Sequence, residues 1–332
     1  MKIIALEEHT VDRAIGAATA EVCKNNVPYL DTFYRADMPA TPSAGQLFEM
    51  GETRLNAMDR SGIDIEVLSL AGNVQWVKGN EALTLAQNAN NYLASLVKEH
   101  PSRFRFFATL PWDNPQAAAD EMRRTASELG SVGVLIAGRP EIDATFLDDA
   151  KYAPVWQALT ELDLPIYIHP GFPFRAVSDA YYKGFSDAVS MLLYTYGFGW
   201  HLEAGIQVVR MILAGVFERF PNLKVISGHW GELMPYYLSR FDQALTQDCT
   251  KLPETFSAYY KRNIWVTPSG IYDYDNMDFC IKKLGIGHLL FSADYPYIPQ
   301  DDGRPFLENA PLTQDDKERF AYGNAAKLLH LE

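Results

Sequence analysis

The stretch Ile3-Ile4-Ala5-Leu6-Glu7-Glu8-His9 opens on apolar residues and ends on three polar ones. A short apolar run with no alternation reads as a strand buried on both faces, as in a parallel sheet covered by helices. Seven further runs have the same character: Ile65–Leu70, Phe104–Leu110, Val132–Ile136, Pro165–His169, Leu223–Ser227, Ile264–Thr267 and Leu289–Ser292. Amphipathic stretches separate them. Glu81–Glu99 puts Leu83, Ala86, Ala89, Leu93 and Leu96 on one helical face, and Pro115–Leu129, Tyr152–Leu162, Leu202–Phe217, Leu233–Leu245, Tyr274–Leu284 and Gln314–Leu329 behave similarly. Eight such runs alternating with helical stretches give an α/β class and a (β/α)8 TIM barrel. No linker, repeat or low-complexity tract divides the chain, so a single barrel domain over residues 1–332 is expected. Long loops follow strand one (Thr10–Phe48) and strand five (Gly171–Trp200). Such segments serve as lids or as partner-packing arms, and the sequence leaves both open.

The 332 residues suit this fold, which needs roughly 250. Hydrophobic residues make up 48% and aromatic residues 13%, enough for a full core and for a site that holds flat molecules. Acids outnumber bases 42 to 29, a net charge of −13, with no Lys/Arg stripe. Phosphate binding needs clustered cations, so nucleic acid is not an expected partner. No apolar run is long enough for a membrane span, and residues 2–6 read as a strand rather than a signal peptide. Cys23, Cys249 and Cys280 are widely spaced and odd in number, which fits a reducing, cytoplasmic setting.

Parallel barrels place their chemistry at the C-terminal ends of the strands. Those ends read Glu7-Glu8-His9 for strand one, His169-Pro170 for strand five, Gly228-His229-Trp230-Gly231-Glu232 for strand six and Ser292-Ala293-Asp294-Tyr295-Pro296 for strand eight. Residues i and i+2 of a strand share a face, so Glu7 and His9 point inward together and Glu8 points toward the helices. With His169 and Asp294 they make a mixed N/O set for one divalent cation, Zn²⁺, Mn²⁺ or Fe²⁺, with positions left for substrate. His201, beside Trp200, is ambiguous, whereas His100, His288 and His330 read as structural or solvent-facing.

Together with the Arg54–Leu70 segment, the Arg103–Leu110 strand and the closing Asn324–Leu329, these strand ends resemble the aromatic acid decarboxylases of the amidohydrolase superfamily. The nearest resemblance is to γ-resorcylate (2,6-dihydroxybenzoate) decarboxylase and related hydroxybenzoate decarboxylases. It implies Glu7, His9, His169 and Asp294 as ligands of one Zn²⁺ or Mn²⁺. It implies His229 as the catalytic histidine, Glu232 as the residue orienting it, and Arg240 as a substrate-binding arginine. It also implies a homodimer or homotetramer. Two departures stand out. Gly171-Phe172 follows the strand-five His-Pro where resorcylate-type members tend to have Arg-Asn, and Ala137 stands where they tend to have Asn.

The implied chemistry is reversible, non-oxidative loss of CO2 from an ortho-hydroxylated benzoic acid. Protonating the ring carbon before CO2 leaves avoids an aryl carbanion; Asp294 is the candidate donor and His229 its partner. Trp76, Phe172 and Tyr295 are candidate substrate-binding walls, with Trp112 and Trp230 beside them, although each also suits a core. The main alternative is hydrolysis of a lactone, ester or amide by water activated at the same cation.

Overall fold

The computed structural model describes residues 1–143 and 145–331. Its strands are β1 (Ile4–Thr10), β2 (Ile65–Leu70), β3 (Phe104–Phe106), β4 (Val134–Ala137), β5 (Ile166–His169), β6 (Val225–Ser227) and β7 (Ile264–Val266). All pairings are parallel, in the orders β1-β2-β3 and β4-β5-β6-β7. Backbone hydrogen bonds join the two sheets into a ring. Ala108 N donates to Gly133 O (2.9 Å) and Leu135 N to Ala108 O (3.0 Å), which carries β3 into β4. On the other side Leu290 N donates to Val266 O (2.9 Å) and Leu6 N to Phe291 O (3.1 Å), so residues 289–292 link β7 back to β1. Among the described residues closure leaves no free sheet edge, and the expected barrel is present.

Inside the barrel lie Ile4, Leu6, Val67, Tyr167, Ile226 and Leu290. Ile3 and Ala5 face the helix layer instead. Strict alternation would then turn Glu7 toward the helices. A register shift prevents this: Ala5 pairs with Glu66 but Glu8 with Leu68, so β1 carries one extra residue there. A bulge of this kind re-aims side chains, and here it brings Glu7 inward.

Two expected strands are shorter than the sequence suggests. β3 stops at Phe106 rather than Leu110 because the Asn90 side chain takes over the backbone of Thr109, accepting from its N (2.9 Å) and donating to its O (2.9 Å). The eighth run forms no regular strand because the Glu8 carboxylate accepts from Ala293 N (2.9 Å) and Tyr295 N (3.3 Å), where a neighbouring strand would otherwise bond. Among the helices, Leu202–Phe217 is replaced by Gly199–Leu213 and Val216–Arg219, broken at Gly215 (φ 69°). Among the described residues no helix is long and apolar enough to cross a membrane.

The two long loops fold against each other over the C-terminal rim. The first contains the helix Arg13–Asn26, capped by the Asp12 side chain on Ala14 N and Ile15 N. Tyr196 Oη donates to Pro39 O (2.6 Å), Arg175 Nη1 to Asn25 O (3.3 Å), and the Phe33 and Phe172 rings meet edge to face at 5.6 Å. Beneath them the loops leaving β4 and β5 touch through glycine: a Cβ on Gly171 would lie 2.4 Å from Gly138 Cα. This contact accounts for Gly171 in place of a long polar residue. Gly171→Ala should therefore cost about 1–3 kcal/mol by forcing backbone apart. A lower denaturation midpoint together with reduced metal content, from movement of the adjacent His169, is the expected measurement.

Candidate active site

β1, β5 and the end of the eighth run aim four side chains at one point. Donor atoms of Glu7, His9, His169 and Asp294 all lie within 4.8 Å of one another. His9 Nε2 is 3.2 Å from Asp294 Oδ1, and His169 Nε2 is 3.2 Å from Glu7 Oε1. Two donors each about 2.1 Å from a shared ion sit roughly 3 Å apart, so these separations fit a bound cation. The buried atoms Glu7 Oε1, His9 Nε2 and Asp294 Oδ1 have no hydrogen-bond partner within the chain. Buried polar atoms are almost always partnered. Three unpartnered donors converging on one point are what a cation-binding cradle requires, and the two imidazoles and two carboxylates suit Mn²⁺ or Zn²⁺.

The side chains of Glu7, His9 and His169 are braced from behind. Ser69 Oγ bonds His9 Nδ1 (2.9 Å), and His169 Nδ1 donates to Pro170 O (2.7 Å), which leaves both Nε2 atoms facing the cluster. Glu7 Oε2 accepts from Tyr167 Oη and Ser269 Oγ, with Ser292 Oγ at 3.4 Å. The Arg54 guanidinium, fully buried, donates to Glu66 (2.5 Å) and to His9 O (2.8 Å), fixing the end of β1. Burial disfavours the charge on Glu7, but the facing His229, His169 and His9 outweigh it and hold the carboxyl well below the usual range.

His229 stands beside the cluster. Its Nδ1 donates to Glu232 Oε1 (2.8 Å), and its Nε2 faces Asp294 Oδ2 at 3.8 Å. Burial disfavours the imidazolium, yet Glu232, Glu7 and Asp294 together push its pKa well above the histidine range. A bound cation would reinforce the lowering at Glu7 and oppose the rise at His229. The other oxygen of Glu232 takes His201 Nδ1 (2.8 Å), and the two imidazole centroids are 4.3 Å apart. His201 was ambiguous in sequence; 31 residues separate it from Glu232, and only the tertiary fold joins them. Non-glycine residues with positive φ gather at this rim: His229 (46°), Trp230 (59°), Glu232 (53°), Ser269 (46°) and Asp294 (63°). Such conformations cost about 1–3 kcal/mol each and persist where the surroundings enforce them, commonly at functional sites.

A cavity of about 510 Å³ opens above His169, His229 and Asp294. Phe172 is among its lining residues. Trp76, Tyr295 and Arg240, the other candidate substrate contacts, are not among its lining residues. Trp76 lies one layer back, its ring 6.3 Å from that of Phe172. Tyr295 is buried beneath the Arg54 guanidinium (4.5 Å), and Tyr297 lines the cavity instead, its ring 5.7 Å from that of His9. Arg240 is exposed on the helix Met234–Ala244 and is not among the lining residues. Trp112 and Trp230 belong to the core, Trp112 against Tyr152 and Trp156, Trp230 bonded to Ile271 O (2.8 Å). Trp200, which the sequence reading did not include, is a wall, 6.5 Å from His169.

The amidohydrolase family model matches residues 37–331. The chain belongs to the amidohydrolase family. Gamma-resorcylate decarboxylase from Polaromonas sp. (strain JS666) is 32% identical over 99% of this amidohydrolase and 98% of its own length. The crystal structure of 5-carboxyvanillate decarboxylase from Sphingomonas paucimobilis superposes with a TM-score of 0.89 at 31% identity, covering 99% of each chain. A dihydroxybenzoic acid decarboxylase from Polaromonas sp. JS666, solved with bound manganese and the inhibitor 2-nitroresorcinol, superposes at 0.86 with 30% identity, covering 99% of this chain and 97% of its own.

Proposed function

We propose that this amidohydrolase is a metal-dependent, reversible decarboxylase of ortho-hydroxylated benzoic acids, acting through Asp294, His229 and Glu232 beside a cation held by Glu7, His9, His169 and Asp294. The convergence of three unpartnered buried donors with His169 on the floor of an aromatic-walled cavity carries this reading. The kinship with decarboxylases favours it over hydrolysis. When bound, the cation supplies a Lewis acid that orients an ortho-hydroxy acid and draws charge from it.

The chain's own residues do the rest. Asp294 divides its two oxygens: Oδ1 faces the cluster, while Oδ2 faces His229 Nε2 at the cavity floor. A proton delivered from Oδ2 to the ring carbon bearing the carboxylate forms a C–H bond and interrupts aromaticity. The C–C bond to the carboxylate then breaks, CO2 leaves, and its bonding electrons restore the ring. His229 Nε2 returns a proton to Oδ2, and Glu232 holds His229 in the ring orientation this requires. Phe172 and Trp200 frame the ring and exclude water.

Purified protein should hold about one Mn²⁺ or Zn²⁺ per chain. Chelation should abolish loss of the acid's ultraviolet absorbance, and readdition should restore it; full turnover by metal-free protein would overturn the assignment. Bicarbonate with the phenol should regenerate the acid. We further infer one catalytic domain over residues 1–332, a cytoplasmic location consistent with three free cysteines, and a homodimer or homotetramer. Exposed apolar side chains at Tyr181, Phe185, Tyr236 and Tyr237 support the oligomer, and a monomer by light scattering would refute it.

A further inference from the structure

The cavity is several times larger than a hydroxybenzoate ring requires. A dry cavity of roughly 150 Å³ accepts benzene, whereas this one, open at its mouth, measures about 510 Å³. Its polar groups are also unevenly placed. His169, His229 and Asp294 form the floor, but the wall supplied by the long loops is largely apolar, with Phe33, Pro42, Leu47, Phe48 and Phe172 among its members. Among the described residues that line the cavity there is no Lys or Arg. Among the described lining residues the cation candidates are His169, His201 and His229, and all three are engaged with the floor or with Glu232.

This wall is built rather than loosely draped. Thr10 Oγ1 at the end of β1 donates to Leu47 O (2.8 Å), Tyr196 Oη anchors Pro39 (2.6 Å), and the Arg13 guanidinium stacks on the Phe48 ring at 3.8 Å. Phe33 is wedged against both Phe172 (5.6 Å) and Trp200 (6.3 Å). An apolar wall held in place gains affinity from apolar ligand surface, and it disfavours any anion that it leaves unpaired.

We propose that the long-loop wall is a subsite for an apolar ring substituent, and that the substrate is a 2-hydroxybenzoate bearing an alkyl or aryl group and no second carboxylate. The substrate assignment rests on the decarboxylase reading above; the subsite itself does not. One buried methylene contributes roughly fourfold in affinity. A propyl or pentyl chain should therefore improve binding at least about tenfold, even when only partly buried.

Two measurements on the wild-type protein test this. First, calorimetry on the metal-free chain compares phenol with 3-pentylphenol; the alkylphenol should bind at least about tenfold more tightly, with a negative heat-capacity change. Leu47→Asp, with Phe48→Ala as the alternative should the first not fold, should reduce the ratio below about threefold. Second, turnover by the metal-loaded protein compares 2-hydroxybenzoate with its monopentyl derivatives and with 2-hydroxyisophthalate. The best alkylated acid should exceed the parent in kcat/KM by about tenfold or more, and the diacid should fall about 100-fold below it. A ratio of alkylated to parent near one, in either measurement, overturns the proposal while leaving the decarboxylase intact. Tighter alkylphenol binding with no turnover of any acid overturns the decarboxylase reading and the substrate assignment, and upholds the subsite alone.

Discussion

Asp294→Asn is expected to keep its metal and lose turnover by about 10³-fold or more. The substitution retains a carbonyl oxygen at the position of Oδ1, 3.2 Å from His9 Nε2, so the cluster keeps its fourth donor. What changes is the atom facing His229: an amide there cannot give a proton to a ring carbon or take one back. Positioned proton transfer contributes about 10²–10⁴-fold in enzymes. The upper part of that range applies here, because the alternative is a ring carbanion. Metal analysis and steady-state kinetics on the same sample separate the two roles. One metal per chain with turnover near wild type would remove Asp294 as the acid. Loss of both metal and turnover would show that the side chain serves chiefly as a ligand, and would shift the donor role to His229.

The double role of Asp294 explains which parts of the site were legible in sequence. Glu7, His9, His169 and Asp294 could be read as one set because each closes an apolar strand, and strand ends in a parallel barrel share a rim. Alternation at i, i+2 with His9 aims Glu7 inward, yet the run from Ile4 and Leu6 would by itself send Glu7 outward. The β1 bulge reconciles the two, and a bulge depends on the neighbouring strand's register, which a single sequence does not display. The same limit applies past Asp294. Its left-handed backbone (φ 63°) redirects the chain, so Tyr297 reaches the cavity and Tyr295 turns toward Arg54. Some braces did carry an unread signal. Tyr167 lies two residues before His169 on β5, and Ser69 two after the interior Val67 on β2, so alternation alone puts both on the inner face. Arg54 and Glu66 gave no such sign, since a buried ion pair in sequence looks like two surface charges. The pairing of His201 with Glu232 required the long loop after β5 to fold back, a contact that no local pattern encodes.

That pairing bears on the second large effect. His229→Asn should lower kcat by about 10²–10⁴-fold with metal retained, because Asp294 loses the group that exchanges protons with it. Glu232→Gln should lower kcat by a smaller factor. A glutamine oxygen can still accept from His229 Nδ1, but the negative charge that sustains the imidazolium is lost, and Glu232 is buried between two histidines. If Glu232 acts only by holding His229, the two changes are not independent. The double variant His229→Asn/Glu232→Gln should then be no slower than His229→Asn alone, as found for groups that work as a unit. Multiplied losses in the double variant would mean that Glu232 has a separate route to the substrate, for which His201, itself a lining residue, is the available carrier. A His201→Asn variant distinguishes these cases. It removes one of the two hydrogen bonds to Glu232 and should change kcat modestly if the carboxylate only positions His229, but should match the loss in Glu232→Gln if His201 carries protons to and from the cavity.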